Sequence, residues 1–557
     1  MTAGNVAATK KARPRGGFAG LVAAGIFLTR ISGFIRLKII THFLGTSDAA
    51  GVFSAAYRIP NFLQNLFGEG VLSASFIPVY AKLLAEEDEE TAGRVAGIVA
   101  TLLALVVATL VLIGVLVTPS IIVVIAPGFH GAVRELTIAV VRILFPGIGL
   151  LVMSAWCLGI LNSHRKFFLS YVAPVLMNGA MITALLVFGN RLRQNDLVIA
   201  LSWGAVVGAA LQFGVQIPFV FRYDRQIRFA LTTALEPVRE VLRNFVPVVI
   251  GRGVVQLSAY LDNLLATLLG TAAAAGLFYA QAISILPVSL FGMSVAAAEL
   301  PQMSSVVGSE EEIYAALRKR MARGLRQIAF FVVPTVVAFV AIGKAMVGAL
   351  YQGGKFGEAD ARYVWYILIG STIGLLAVTL GRLYSSAFYA LRDTKTPLYF
   401  ASGRVALTAL LGYLFALPLR PLLIDALEFF HVPLPLLGGS SVPLGAIALT
   451  ATAGFAGWFE YLLLRRSLGR RIGTVRLDPG YLARLWAAAI SAGLAGAAFF
   501  VFAVPRIGPY LPRIFPRIRD GILVCGVFGI IYFGVAMLLG VPEARATVGR
   551  FLLRSRS

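Results

Sequence analysis

The sequence predicts an all-α polytopic membrane protein: about 14 transmembrane helices, built as two six-helix lobes related by an axis along the membrane normal plus a C-terminal helix pair. Three observations predict it: an extreme apolar composition, a row of apolar segments of spanning length, and an internal repeat. Of the 557 residues, 58% are hydrophobic and only 13% are charged. With glycine counted and tyrosine left out, the apolar share is about 65%, against about 45–50% in soluble domains. This excludes an ordinary soluble enzyme, a disordered chain and a disulfide scaffold, since Cys157 and Cys525 each lie inside an apolar run.

A spanning helix needs roughly 20 largely apolar residues. Segments of that kind occupy 18–44, 51–84, 95–120, 136–161, 171–189, 197–221, 238–269, 273–300, 324–350, 363–391, 398–418, 442–464, 482–504 and 521–540. The first follows Lys10, Lys11, Arg13 and Arg15 in a basic stretch, 1–17, but no small-residue cleavage site follows it and Arg30 interrupts the run, so it reads as a retained helix. The second contains Pro60 beside Asn61, where a freed backbone carbonyl has a side-chain donor at hand. Glu86 to Glu90 read as a solvated acidic turn, whereas 225–243 and 310–327 mix charged and apolar residues at the spacing of interfacial helices. The expected division is an N-lobe over 18–235, a C-lobe over 236–470, and 471–557 for the last helix pair and a basic tail.

The repeat supports the two-lobe reading. Phe67 to Pro78 (FGEGVLSASFIP) resembles Phe291 to Pro301 (FGMSVAAAELP), and Gly147 to Leu151 matches Thr372 to Leu376 at nearly the same offset. Each copy leads to a basic turn and a proline: His164, Arg165, Lys166 and Pro174 in one, Arg392, Lys395 and Pro397 in the other. Six spans separate the copies, so the halves share one orientation.

The 49 Lys and Arg against 26 Asp and Glu give a net charge of +23. In a membrane protein this excess marks cytoplasmic connections rather than nucleic acid. Arg466, Arg470, Arg471 and Arg476 cluster in one such connection, and an even number of spans places both termini in the cytoplasm.

Chemistry is sought at ionisable groups far from helix ends, because a charge in hydrocarbon persists only against water, a partner or a ligand. The first span, 27 residues and about 40 Å long, carries Arg30 at its centre and Arg36 six residues on. In an ideal helix they stand 120° apart, so a bend at Gly33 would let both reach one cavity. Lys38 and His42 read as interfacial. Arg58 and Glu69 in the second span and Arg252 and Asp262 in the seventh are either structural or substrate-facing, and Arg142, Arg382 and Arg404 lie near enough to helix ends to snorkel. A cavity lined mainly by arginine suits an anion, since guanidinium binds phosphate through two parallel hydrogen bonds. The pattern shows no metal-spaced cluster, no nucleotide loop and no cofactor motif.

The residues Thr29-Arg30-Ile31-Ser32-Gly33-Phe34-Ile35-Arg36, Ile59-Pro60-Asn61, Phe67-Gly68-Glu69-Gly70 and Phe76-Ile77-Pro78 resemble the opening signature of the MurJ/MviN lipid II flippases. The likeness continues through Ala126-Pro127-Gly128-Phe129, Leu161-Asn162, Pro174 with Asn178, Gly354-Lys355-Phe356 and Arg392 to Pro397. The resemblance implies the fold of the multidrug/oligosaccharidyl-lipid/polysaccharide exporter superfamily, with the last helix pair forming a groove for a lipid tail. It implies a secondary transporter, not an enzyme, in the bacterial cytoplasmic membrane. Such a protein moves lipid II, the undecaprenyl-pyrophosphate-linked peptidoglycan precursor, to the outer leaflet by alternating access. Arg30 and Arg36 carry over as residues meeting the pyrophosphate, with Asn61 and Glu69 near them. Membrane lipids and cell-wall synthesis proteins are the expected partners of a monomeric chain.

The chain also departs from the family. Gln64 stands where the family often has a basic residue, Leu37 where it has an acidic one, and Tyr279-Ala280-Gln281-Ala282 lacks an arginine essential to the family. Arg252 on the adjacent helix is the candidate replacement for that arginine, and Asp262 a candidate cation ligand for coupling. Other readings remain: an exporter of another polyprenyl-linked oligosaccharide or amphipathic molecule, a non-transporting scaffold suggested by Ala282, or a membrane glycosyltransferase. The last would need catalytic acids in the 419–441 loop, where Asp425, Glu428 and His431 sit.

Overall fold

The structure is a computed structural model that describes residues 16–306, 308–422, 425, 442–507, 510 and 515–554. Among the described residues every long element is a helix and no strand occurs. Eleven helices among the described residues are long and apolar enough to cross a membrane, from Glu89–Ile125 to Pro516–Leu538. Three further long helices stand where the first, second and seventh spans are predicted: α1 (Gly16–Leu44), α2 (Asp48–Phe67) and α10 (Glu236–Leu268). Large apolar side chains such as Leu105, Leu112, Leu116 and Val124 are exposed, which fits helices that meet lipid rather than water.

The predicted second span, 51–84, is not one helix. α2 ends at Phe67, and two short helices follow, α3 (Glu69–Ser75) and α4 (Ile77–Ala85). The break falls at Gly68, where a Cβ would lie 2.2 Å from the Gln64 carbonyl oxygen, and Pro78 opens α4. Likewise 225–243 is not a surface helix throughout, because residues 225–235 are irregular and α10 begins at Glu236. The reason is packing: the backbones of Gln226 and Arg228 lie against Gly93 and Gly97 of α5 (Glu89–Ile125), where any side chain would collide. The segment 310–327 opens one unbroken helix, α13 (Glu310–Ala341), started by a capping box between Ser309 and Glu312. The acidic turn is present as expected, with Glu87 at φ +60° and α5 starting at Glu89. In the eighth span, α11 (Thr271–Pro287) passes into a π-turn over Val288–Met293 right after Pro287, which has no backbone N–H to continue the ladder.

The chain forms two compact units: residues 1–39, 56–118 and 139–253 make one, and 40–55, 119–138 and 254–557 the other. In the first, α6 (Gly131–Ser163), the short α7 (Phe167–Val172), α8 (Pro174–Phe188) and α9 (Gln194–Tyr223) carry most of the packing around the site. α8 and α9 touch through Gly204 and Gly208, one turn apart on α9. Cβ atoms there would lie 2.8 Å from Ala184 and 2.7 Å from Met177, so the absence of side chains is what lets the two helices approach.

In the second unit, α15 (Glu358–Ala390) crosses the helix Val442–Ile472 at a glycine pair, Gly374 and Gly454, and the Trp458 indole donates to the Ile373 carbonyl at 2.7 Å. The helices Pro479–Ala498 and Pro516–Leu538 pack on α13, sharing a core with Phe330, Leu485, Val524 and Phe528. Tyr532 and Tyr481 donate their hydroxyls to the Phe330 and Arg326 carbonyls of α13, at 2.5 and 3.2 Å. Of the 419–441 loop, Asp425 alone among its three acid-base candidates is described, and Glu428 and His431 lie outside the described residues.

Candidate functional site: an arginine-bearing cavity in the first unit

α1 is helical through Gly33, with Arg30 and Arg36 six residues apart along it. A Cβ at Gly33 would meet only the Asn178 amide, at 3.9 Å, so nothing at that position forces the helix apart. Arg30 lines a cavity of about 290 Å3 together with Thr29, Gln64, Ser154, Ser170 and Gln212. Arg36 is not among the lining residues, contrary to the expectation that both reach one chamber.

Arg36 instead sits in a network of neutral groups. Its guanidinium donates to the Asn178 side-chain oxygen at 2.9 Å and to the Tyr57 hydroxyl at 3.2 Å, and lies 5.5 Å from the Tyr57 ring centroid. The Asn178 amide donates in turn to the Ser32 hydroxyl at 2.8 Å, and the Thr29 hydroxyl donates to the Tyr171 carbonyl at 2.6 Å. These bonds fix α1 against α8 without neutralising the charge. Among the described residues no carboxylate pairs with Arg36 or Arg30, and the Arg36 Nε has no acceptor. The acceptors that hold the guanidinium are neutral, so among the described residues the protein places no counter-charge against it.

The other predicted residues divide. Arg58 is half-buried on α2 and Asp262 half-buried on α10, and both engage neighbouring groups. The side chains of Asn61, Glu69 and Arg252 lie outside the described residues. Arg404 pairs with Glu460 at 3.1 Å, and Arg142 donates to the Val115 carbonyl at 3.3 Å, so both are tied by protein groups. Arg382 is exposed on α15. Gln64, the neutral residue at a position often basic in the family, is on the cavity wall.

Sequence reasoning named Asn178 only as part of a family motif, and missed Tyr57, Ser154, Gln212 and Gln216. The Gln212 and Gln216 amides both donate to the Ser154 hydroxyl, at 3.1 and 2.9 Å. The signal was present: two glutamines one helical turn apart in an otherwise apolar span. A further cluster joins Tyr80, His164 and Asp224, with the Tyr80 hydroxyl 2.9 Å from the Asp224 carboxylate and 3.0 Å from the His164 ring. Burial holds the His164 imidazole below its ordinary value of 6.5, against the opposing pull of Asp224.

Comparison with solved structures shows the fold. A structure described as lipid II flippase MurJ in an inward closed conformation matches 92% of this chain and 98% of its own, at a TM-score of 0.69 and 21% identity. An inward-facing MATE-family multidrug transporter of the MOP superfamily matches 82% of this chain and all of its own, at a TM-score of 0.59 and 18% identity. The chain therefore shares the fold of these solved structures. The family model for lipid II flippase MurJ matches residues 40–425. The lipid II flippase MurJ of Burkholderia cenocepacia is 29% identical over 94% of this chain and 97% of its own. A probable lipid II flippase MurJ of Haemophilus influenzae is 26% identical over 93% and 98%. The chain belongs to the MurJ family.

Proposed function

We propose that this protein flips lipid II from the cytoplasmic to the outer leaflet of the bacterial cytoplasmic membrane by alternating access, with both termini cytoplasmic and the cavity arginines meeting the pyrophosphate. The observation that carries this reading is Arg30 on the wall of a cavity that also carries Gln64, Ser154, Ser170 and Gln212, with no carboxylate paired to it among the described residues. A pyrophosphate is the kind of group such a cation serves, because guanidinium matches its oxygens bidentately. Arg36, 9 Å along the helix axis at ~1.5 Å per residue, offers a second charge on another face. Arg252 on α10 is the proposed substitute for the arginine missing at Ala282, Asn61 and Glu69 flank the site, Arg58 extends it, and Asp262 is the proposed cation ligand for coupling. The chain works as a monomer, with the C-terminal helix pair taking the lipid tail.

The neutral residues Gln64 and Ala282, at positions basic in the family, favour a second reading, a scaffold that binds lipid without moving it. Fluorescent lipid II in liposomes containing the purified full-length protein separates the two. Time-dependent loss of inner-leaflet label supports flipping, whereas binding without translocation sinks it in favour of the scaffold.

A further inference from the structure

The cavity beside Arg30 contains more hydrogen-bonding capacity than the protein uses. The Ser154 oxygen accepts from both the Gln212 and the Gln216 amide nitrogens. Its two lone pairs are thereby occupied, and its own hydroxyl hydrogen has no acceptor among the described residues. Among the described residues, the side-chain carbonyl oxygen of Gln212, a residue 6% exposed, accepts nothing, and the hydroxyl of Ser170, 2% exposed, has no partner. All three line the same cavity as Arg30. Gln216, 1% exposed, donates to the Gln212 backbone carbonyl at 3.1 Å as well as to Ser154, so it holds Ser154 in this orientation. Buried polar groups in proteins nearly always have partners, and a cluster of three without them on one wall points to a ligand that supplies them.

The pattern of donors and acceptors selects the ligand. A phosphate only accepts, so it would satisfy Arg30 and the Ser154 hydroxyl but leave the Gln212 oxygen bare. A cation would satisfy the oxygens but share the chamber with the Arg30 charge. Hydroxyl and secondary amide groups donate and accept at once, as the cluster requires. The volume, about 290 Å3, lies at the low end of small-molecule sites, about 300–1,000 Å3, a size for one part of a large head group.

We propose that Ser154, Gln212 and Ser170 form a neutral hydrogen-bonding subsite for the hydroxyl- and amide-bearing saccharide of the cargo, next to the arginine that meets its phosphate. The inference rests on the flipping reading above and adds a determinant of specificity: the saccharide, and not only the pyrophosphate, is read in the first unit. With Gln64 in place of a basic residue on the same wall, neutral recognition takes a larger share of the head-group contact.

The test is equilibrium binding to the detergent-solubilised full-length protein of two lipids that differ only in the sugar: lipid II, and undecaprenyl pyrophosphate without a saccharide. The wild-type protein is expected to prefer lipid II. Gln212→Met, close in volume but apolar, is expected to weaken lipid II binding about tenfold and to change undecaprenyl pyrophosphate binding less than twofold. The melting midpoint in the same detergent controls for folding, and Ser154→Ala or Ser170→Ala, smaller changes, carry the same comparison if Gln212→Met does not fold. Equal weakening of both lipids, unchanged lipid II binding in every variant, or no wild-type preference between the two lipids each overturns the subsite. Because the readout is binding selectivity, it is separate from the liposome assay: absent flipping with intact selectivity rejects the transport reading and keeps the subsite.

Discussion

Arg36 of α1 is bound to Asn178 of α8 at 2.9 Å, and the partner is an amide rather than a carboxylate. The choice separates position from charge: the amide orients the guanidinium and leaves its charge uncompensated. Asn178→Asp tests this directly. It should keep the geometry, pair the charge, and hold or raise the melting midpoint while lipid II flipping falls at least tenfold. Asn178→Leu should lower both, at a cost of about 1.5–3 kcal/mol for the lost bond to a charged group. Flipping in liposomes and melting in detergent, measured side by side, decide it. An active Asn178→Asp protein would remove Arg36 from the anion site.

Arg30 should tolerate lysine poorly. Arg30→Lys keeps the charge but loses the planar fork, so flipping is expected to fall about tenfold, and Arg30→Ala to lose a further tenfold or more. Since Arg30 is exposed to the cavity and makes no ion pair among the described residues, neither change should move the melting midpoint by more than about 2 °C. Loss of stability in parallel with loss of transport would indicate a structural role instead.

His164 makes stability pH-dependent. Its folded-state value is depressed below the 6.5 of the free group, so the folded protein disfavours the proton that the unfolded chain accepts. Its contribution is therefore complete above pH 6.5 and declines as the pH falls below it. The melting midpoint should drop between pH 7 and pH 5.5, and His164→Gln should flatten that segment of the profile. A profile unchanged by the substitution assigns the drop elsewhere.

The Arg404–Glu460 pair, with side chains 22% and 17% exposed, should behave as a structural unit of the second compact unit. Arg404→Met alone removes the direct partner of Glu460, leaving Arg382 as the neighbouring positive charge, and should cost up to about 3 kcal/mol. The double change Arg404→Met with Glu460→Met should recover most of it and retain flipping. A double variant that is stable but inactive would promote the pair from structure to mechanism.

The sequence disclosed the fold through periodic and compositional signals that the membrane imposes, since every span must satisfy its own backbone and face lipid. It disclosed less about irregular stretches. The break at Gly68 and the extended run 225–235 depend on steric contacts with Gln64 and with Gly93 and Gly97, which no periodicity encodes. Arg30 and Arg36 stood out because charge is rare at that depth. Ser154, Gln212 and Gln216 did not, and Asn178 entered only through a motif, because neutral polar residues in a span are ordinary until their partners are known. The difference between Arg30 and Arg36 was likewise hidden, since it lies in their surroundings: Arg30 lines the cavity, whereas Arg36 bonds Asn178 and Tyr57.

The glycines at 204 and 208 give the cavity beside Arg30 a distant dependence. They set how closely α9, which brings Gln212 to the cavity wall, approaches α8, which brings Pro174. The shape of that wall is thus partly encoded by the absence of matter at a helix crossing. A methyl group added there would alter the cavity from a location outside its lining.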